Sequence, residues 1–214
     1  MKTRDKIIHA AIELFNEQGE QNVTTNHIAA HLGMSPGNLY YHFRNKEDII
    51  QAIISLYAQD LHHHFGPEQV GPVTLQVSMG HLDHIIYVMW RYRFLYNNLP
   101  DILARDPALR ELYRKLQAPI YGFMQRHMES LREQQILLVN AEEMQNLVHI
   151  MKQILLFWIA YMHTLQGNEA VTKPKIYEVI PRVLFLFRPY IAPAHQAELA
   201  ELERYFQARI NNGE

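Results

Sequence analysis

Residues 24–43 read TTNHIAAHLGMSPGNLYYHF, which places two short helical patterns on either side of Gly33. Thr24 can cap the first helix, and Ser35 can cap the second, with Pro36 at the first helical position, where its missing N–H does no harm. Glycine permits the turn between them, since it adopts backbone conformations that other residues avoid. Two short helices joined by such a turn form a helix-turn-helix, whose second helix can fit the major groove of B-DNA.

Spacing alone does not distinguish this motif from another small helical domain, because any such domain can contain two short helices around a glycine. The outer face of the second helix is more informative, since its polar groups can reach base edges or phosphates. That face would present Ser35, Gly37, Asn38, Tyr41 and His42.

Apolar residues recur at helical spacing along nearly the whole chain. Residues 3–18 predict a first amphipathic helix, which Gly19 ends, and a fourth helix follows Asn45. Later helices are predicted over about 73–98, 100–105, 107–134, 141–166, 175–191 and 197–210. A cluster of glycine and proline within residues 66–72 predicts a hinge after the fourth helix. No strand pattern is convincing, so the sequence predicts an all-α fold.

Composition excludes several classes of protein. The chain has 214 residues and no cysteine, so neither a disulfide nor a thiolate metal site can hold it together, and the cytoplasm is the expected compartment. The longest charge-free apolar region, residues 153–168, is interrupted by polar side chains and is shorter than the roughly 18 to 20 residues of a membrane span. We therefore expect no membrane segment.

The charge of the chain is informative only in its distribution. The net charge is −2, which is not the basic charge typical of nucleic-acid-binding proteins. Up to residue 46, the basic residues lie at the two ends of the segment: Lys2, Arg4, Lys6, Arg44 and Lys46. If folding brings those ends together, one face is locally positive.

Thirteen histidines suggest a metal site, but their spacing does not support one. His62, His63 and His64 are consecutive, so their side chains would point about 100 degrees apart on a helix. His81 and His84 are three residues apart, a spacing that can hold zinc, but the sequence places no third ligand. No nucleophile motif, phosphate-binding loop or pair of carboxylates stands out. We expect no metal, no cofactor and no enzymatic activity.

The segment IAAHLGMSPGNLYYHFRNKEDI strongly resembles the tetracycline-repressor (TetR) family of bacterial regulators. The family pattern is Ile-Ala, three residues, Gly-Val-Ser, a small linker, Leu-Tyr, two aromatic or histidine positions, then Lys-Glu. The resemblance covers about residues 3 to 60. It implies an N-terminal three-helix helix-turn-helix DNA-binding domain over residues 1–47 and a helical C-terminal ligand-binding and dimerisation domain over residues 48–214.

The resemblance also implies which residues contact DNA. They are Thr25, Asn26, Ser35, Pro36, Gly37, Asn38, Tyr40, Tyr41, His42 and Lys46. In the family, the positions of Tyr40 and His42 usually contact phosphates, and the ammonium of Lys46 would face a phosphate beside the amides of a helix N-terminus. The second helix of the motif offers few long side chains, so we expect sparse base readout, with Asn38 and Tyr41 as the main base readers.

In the family, the helical body binds a small molecule, and this chain supplies large, adaptable side chains for an apolar pocket. The candidates are Tyr87, Trp90, Phe94, Tyr121, Met124, Met128, Met151, Phe157, Trp158, Tyr161 and Met162. Most aromatic and methionine stripes in proteins are simply core. As a set, these side chains favour a hydrophobic effector over a sugar or a phosphate.

Two late apolar helices carry more large residues than the surface of a monomer should expose, unless they form an internal core. These residues are Leu147, Ile154, Trp158, Val183, Leu186 and Phe187. The family implies a four-helix interface between two copies, and a two-fold homodimer would face a palindromic operator in double-stranded DNA. The expected function is a repressor that a small hydrophobic effector releases. The alternative is a DNA-binding adaptor of the same fold that answers to a protein partner.

Overall fold

The computed structural model describes residues 1–65, 73–166 and 171–212, and within these ranges the chain is helical with no β-strand. The predicted all-α fold is confirmed. In chain order the helices are α1 (Thr3–Gln18), α2 (Thr25–His31), α3 (Pro36–His42), α4 (Lys46–Phe65), α5 (Leu75–Arg91), α6 (Arg93–Arg105), α7 (Pro107–Glu133), α8 (Ala141–Gln166), α9 (Lys173–Tyr177), α10 (Val179–Phe187) and α11 (Gln196–Asn212).

The chain divides into two compact units. The first contains Met1–Asp60 and Arg91–Leu116, and the second contains Leu61–Trp90 and Gln117–Glu214. The first unit extends beyond residue 47 because α6 packs against α1: the rings of Phe15 and Phe94 lie 5.2 Å apart. The domain boundary at residue 47 stays a prediction about the DNA-binding part of this unit.

The first four helices bury a small apolar core within the first unit. α1 packs against α2, and α2 packs against α3. Apolar residues recur every three or four positions in α1, so one side of the helix is buried. Buried members of this core are Ile7, Ala11, Phe15, Val23, Ile28, Ala29, Leu39, Phe43, Ile49 and Ile53. Burial of each large aliphatic side chain contributes about 1.5 to 3 kcal/mol, which fixes α3 against the other helices.

Helix boundaries in the middle of the chain differ from those predicted. The helix expected over 73–98 ends before Tyr92, whose φ of −112° and ψ of 30° are not helical. α6 consists of two helical pieces joined at a kink at Asn98, which is not helical either, so Pro100 lies in the first turn of the second piece, close to the helix start predicted at residue 100. The hinge predicted within residues 66–72 lies outside the described residues.

In the second unit, α8 packs against α10, and α9 packs against α11. The carboxylate of Asp83 in α5 accepts hydrogen bonds from the phenols of Tyr177, at 3.1 Å, and Tyr205. These two bonds connect α5 to α9 and to α11. Among the described residues, none of the helices has the length and apolarity that crossing a bilayer requires.

Candidate nucleic-acid interface

Two helix caps and one left-handed residue fix the turn between α2 and α3. Gly33 has a φ of 63°, a value that favours glycine. Thr24 Oγ1 accepts a hydrogen bond from the amide of His27 at 3.3 Å, and Ser35 Oγ accepts one from the amide of Asn38 at 3.2 Å. Both caps predicted from the sequence are present. They hold the first turn of α3 in a defined position relative to α2.

The outer side of α2 and α3 carries nearly all of the residues predicted to contact DNA. Exposed members are Asn26, Ser35, Pro36, Gly37, Asn38, Tyr40 and Tyr41, and half-buried members are Thr25 and His42. The side chain of Leu39, on the opposite side of α3, is fully buried. α3 therefore presents a polar and aromatic surface to solvent while its other side anchors it. The DNA contacts of these residues stay predictions.

Two side-chain contacts organise this surface. Thr25 Oγ1 and Tyr40 OH lie 3.1 Å apart, a hydrogen bond that joins the start of α2 to α3. The rings of Tyr41 and His42 pack edge to face with their centroids 5.1 Å apart. Tyr41 is 85% exposed, so a large aromatic surface faces solvent beside the hydroxyl pair.

Lys46 does not present its ammonium to solvent in the way that the sequence predicts. Its Nζ donates to the carbonyl oxygens of Glu20, at 2.7 Å, and Val23, at 3.1 Å. The same atom lies 2.8 Å from Oε1 of Glu20, and the Lys46 side chain is only 18% exposed. Nζ therefore makes two hydrogen bonds to carbonyl oxygens and one ion pair with the carboxylate, whose Oε1 lies close but accepts no hydrogen bond. The ammonium of Lys46 is thus directed toward Glu20 and Val23, and its predicted contact with a phosphate stays a prediction.

Glu20 is the buried anion that explains this orientation. Its carboxylate is fully buried, and its second oxygen lies 2.6 Å from Nη2 of Arg105, the last residue of α6. Burial raises the pKa of Glu20, but hydrogen bonds from Arg105 and Lys46 outweigh that effect and lower the pKa below its ordinary value. The carboxylate is therefore ionised at neutral pH. Glu20 directly follows Gly19, the glycine that ends α1, and this position gives no sequence signal that the glutamate is buried.

The two ends of the N-terminal segment lie close together where Arg4 contacts Phe43, the residue before Arg44. The guanidinium of Arg4 lies over the ring of Phe43, 4.9 Å from its centroid. Arg44 follows in the turn between α3 and α4, and its side chain is 92% exposed. Its Nε lies 3.5 Å from Oδ2 of Asp48, an exposed pair of the kind that contributes little. Arg44 is missing from the predicted contacts, although its sequence position beside the motif was a usable signal.

Comparison with known proteins agrees with this geometry. A family model described as "Bacterial regulatory proteins, tetR family" matches residues 7–53, and one described as "Bacterial transcriptional repressor" matches residues 56–199. This chain belongs to the TetR family. It is a DNA-binding transcriptional regulator, and the names of TetR-family relatives describe regulators rather than enzymes.

A crystal structure of a TetR-family regulator from Marinobacter aquaeolei VT8 is similar over the whole chain. It is 35% identical with a TM-score of 0.84, and the match covers 96% of this chain and 99% of that one. SrpR of Pseudomonas putida is 36% identical over 67 residues, 31% of this chain and 32% of SrpR. UidR of Escherichia coli strain K12 is 46% identical over 52 residues, 24% of this chain and 26% of UidR. This chain thus matches a third or less of these two TetR-family relatives.

The residues predicted to line a pocket are distributed over the two units. Phe94 belongs to the first unit, where it is buried against Phe15. Phe157 and Tyr161 lie on α8 and are about half exposed. Buried members in the second unit are Met151, Trp158 and Met162, and partly exposed members on α5 and α7 are Tyr87, Trp90, Tyr121, Met124 and Met128. The pocket stays a prediction for the residues of the second unit.

Most of the residues predicted to form a dimer interface are buried within the single chain, and their place in an interface stays a prediction. The buried members are Leu147, Trp158, Val183 and Phe187, and the half-buried ones are Ile154 and Leu186. The physical reason is that α8 and α10 pack against each other, so their facing sides form internal core. Trp158 also donates its indole N–H to the carbonyl of Lys175 at 3.1 Å.

The second unit also contains a buried histidine that the sequence does not single out. Nε2 of His127 lies 2.9 Å from Oγ of Ser78, and its ring lies 4.9 Å from that of His81. Burial, followed by the effect of His81, lowers the pKa of His127 to about 4. His127 is therefore neutral at physiological pH. Among the residues that the structure describes, no three His, Asp or Glu side chains are grouped as metal ligands.

We expect the free energy of unfolding to fall as the pH drops from about 6.5 toward 4. In this range His127 is protonated in the unfolded chain but stays neutral in the folded one. The contribution is complete above the ordinary pKa of 6.5 and is lost as the pH falls through the folded value of about 4. A shift of this size corresponds to about 3 kcal/mol. Urea unfolding across this range should show a smaller loss for His127→Gln than for the wild type. An equal loss in both proteins would contradict the assignment to His127.

Proposed function

We propose that this TetR-family regulator is a repressor that binds a palindromic operator as a homodimer and leaves it when a small hydrophobic effector binds. The observation that carries the proposal is the exposed polar side of α3, anchored from behind by fully buried Leu39. The family model described as a repressor covers residues 56–199 and supports the sign of regulation. Its site of action would be the cytoplasm, where bacterial DNA lies.

In this proposal, α3 enters the major groove and its side chains divide into two groups. Asn38 and Tyr41 face the base edges, where an amide can recognise adenine and an aromatic ring can contact a thymine methyl group. Tyr40 and His42 face phosphates and fix the orientation of the helix. Thr25, bonded to Tyr40, contributes its hydroxyl from the start of α2.

The proposed homodimer uses the side of α8 that faces away from the core. Ile150, Ile154, Phe157, Tyr161 and Leu165 recur at helical spacing along that side, and we call this set the α8 stripe. All of its members except half-buried Ile154 are exposed. Phe185 on α10 is 71% exposed. Exposed apolar surface of this extent is typical of an interface, and two-fold pairing would present two copies of α3 to one duplex.

The proposed effector acts by favouring one conformation of the dimer. A ligand that bound both conformations equally would shift nothing, so it must bind more tightly to the form whose two α3 helices do not match the operator. Buried Met151 and Met162 supply adaptable apolar side chains in the second unit. This chemistry supports a hydrophobic effector.

Selection of bound duplexes from a random DNA library tests the proposal. We expect the enriched sequences to contain two inverted half-sites whose centres lie about one helical turn, or roughly 10 base pairs, apart. Hydrophobic compounds added to the purified complex should then release the DNA. Absence of any enriched sequence, with no binding to duplex DNA in low salt, would refute the proposed function. Release by a protein partner, with no response to any compound, would favour the adaptor instead.

Asn38→Ala should relax the preference for one base pair in each half-site. The side-chain amide is exposed on the first turn of α3, and a bidentate contact of this kind is worth about 1 to 3 kcal/mol of discrimination. Competition between the selected operator and duplexes altered at single positions measures the loss. Gln21→Ala, at an exposed residue outside α2 and α3, serves as the control. Unchanged preference at every position would remove Asn38 from the base readers.

A further inference from the structure

We propose that Arg44, rather than Lys46, is the cation that contacts the DNA backbone beside the start of α4, and that Glu20 is the positioning residue that keeps Lys46 inside the chain. The inference rests on the proposed DNA-binding function and concerns the source of its positive charge. It follows from the contacts of four side chains in the first unit: Glu20, Arg44, Lys46 and Arg105.

The ammonium of Lys46 is directed toward the interior of the chain. Its ammonium already has the carbonyl oxygens of Glu20 and Val23 and the carboxylate of Glu20 as partners, at 2.7, 3.1 and 2.8 Å. Two of its three N–H donors are used by the carbonyl oxygens, and the third lies beside the buried carboxylate, so a phosphate would have to compete with that anion for Nζ. Its stem is also largely buried. Lys46 therefore acts as an internal brace between α4 and the segment that connects α1 to α2.

The carboxylate of Glu20 lies between two cations. Each of its two oxygens faces one cation, Oε1 toward Lys46 and Oε2 toward Arg105. Departure of Lys46 would leave a buried anion with Arg105 alone, and the removal of one partner from a buried ionic group is strongly unfavourable. If Lys46 bound a phosphate, the phosphate oxygens would have to replace the carboxylate of Glu20, which is already buried beside the ammonium. Glu20 thus keeps the positive charge of Lys46 away from DNA.

The side chain of Arg44 is not held by buried partners of the kind that hold Lys46. Its side chain is 92% exposed, and its ion pair with Asp48 is long and solvated. It lies two residues after the end of α3 and two residues before the start of α4. A planar guanidinium with five N–H donors is well suited to phosphate oxygens. Arg44 can therefore supply a backbone contact next to those proposed for Tyr40 and His42.

The salt dependence of binding distinguishes the two cations. Each phosphate contact contributes about 0.9 to the slope of log affinity against log salt. With the selected operator duplex, Arg44→Ala should lower the slope by about 0.9 per bound chain, or about 1.8 for the dimer, so that the affinity lost between roughly 50 and 200 mM salt becomes about twelvefold smaller. Lys46→Gln should leave the slope unchanged and lower the melting temperature. Glu20→Gln should release Lys46 and raise the slope by about 0.9.

Arg114→Ala is the matched control, because Arg114 is also an exposed arginine paired with a nearby acid, Glu111, and lies in α7. It should change neither the slope nor the affinity. An unchanged slope in Arg44→Ala, or a lower slope in Lys46→Gln, would overturn the inference. Arg44 is exposed, so its variant decides the test even if the Glu20 and Lys46 variants unfold. Failure of the wild type to bind any duplex would refute the proposed function instead.

Discussion

Replacing Phe157 with glutamate should convert a dimeric protein into a monomer that no longer retains a palindromic duplex. Phe157 lies in the middle of the α8 stripe and is about half exposed in the single chain. Pairing would bury the new carboxylate against apolar groups of the second copy, at a cost of several kcal/mol. Two linked DNA-binding domains bind one operator about 100-fold or more tightly than a single domain does, so the operator affinity should fall by at least that factor.

Sedimentation and operator binding, measured at the same chain concentration, check this result. Val77→Glu is the matched control, because Val77 is also an exposed apolar residue of the second unit but lies on α5. It should stay dimeric and bind DNA normally. Phe157 was also predicted to line the effector pocket, and a dimer with intact operator binding but no response to effector would favour that role. Such a result would contradict the proposed interface.

Glu20→Ala should lower the free energy of unfolding by about 3 to 5 kcal/mol, the range for removing one member of a buried ionic group. Its loss leaves the ammonium of Lys46, only 18% exposed, without its counter-ion. Arg105 contributes less, because its side chain is 45% exposed and water screens its charge. The expected loss therefore lies near the lower end of the range. Urea unfolding at neutral pH measures it directly.

The effect of Glu20→Ala should also depend on pH. The folded pKa of Glu20 lies below the ordinary value of 4.5, so its ionised carboxylate stabilises the fold fully above that value and loses its effect as the pH falls through the folded pKa. The variant and the wild type should therefore converge in acid. Glu17→Ala, which removes an exposed glutamate of α1, should have little effect. A Glu20 variant as stable as this control would show that the ion pairs contribute nothing.

Much of the structure of the DNA-binding domain was predictable from residues that are close in sequence. The bounds of α1 match the predicted helix over residues 3–18, because its apolar spacing and the glycine that follows leave little freedom. Thr24 and Ser35 cap their helices as predicted, since their hydroxyls compete for amides only a few residues away. Features set by neighbours in sequence are therefore the ones that a single sequence reveals.

Features set by distant neighbours were not predictable in the same way. The orientation of Lys46 depends on Glu20, which is 26 residues away along the chain. α8 is apolar on two neighbouring sides, about 100 degrees apart: Trp158 faces the core, whereas Phe157 faces solvent. Spacing alone identifies both sides as apolar but cannot tell which of them packs against α10. For this reason the predicted interface included residues that are internal core.

The hydrogen bond between the hydroxyls of Thr25 and Tyr40 can run in either direction, and a bound anion would select one of them. Each hydroxyl has one proton, and either oxygen can be the donor across the 3.1 Å gap. If Tyr40 donates its hydroxyl hydrogen to Thr25, the phenol has none left for a phosphate, although the hydroxyl of Thr25 keeps its own. A phosphate that contacts Tyr40 therefore favours the opposite arrangement, in which Thr25 donates to the phenol and the phenol donates to the phosphate. The two hydroxyls would then form a short relay that is stronger than either bond alone.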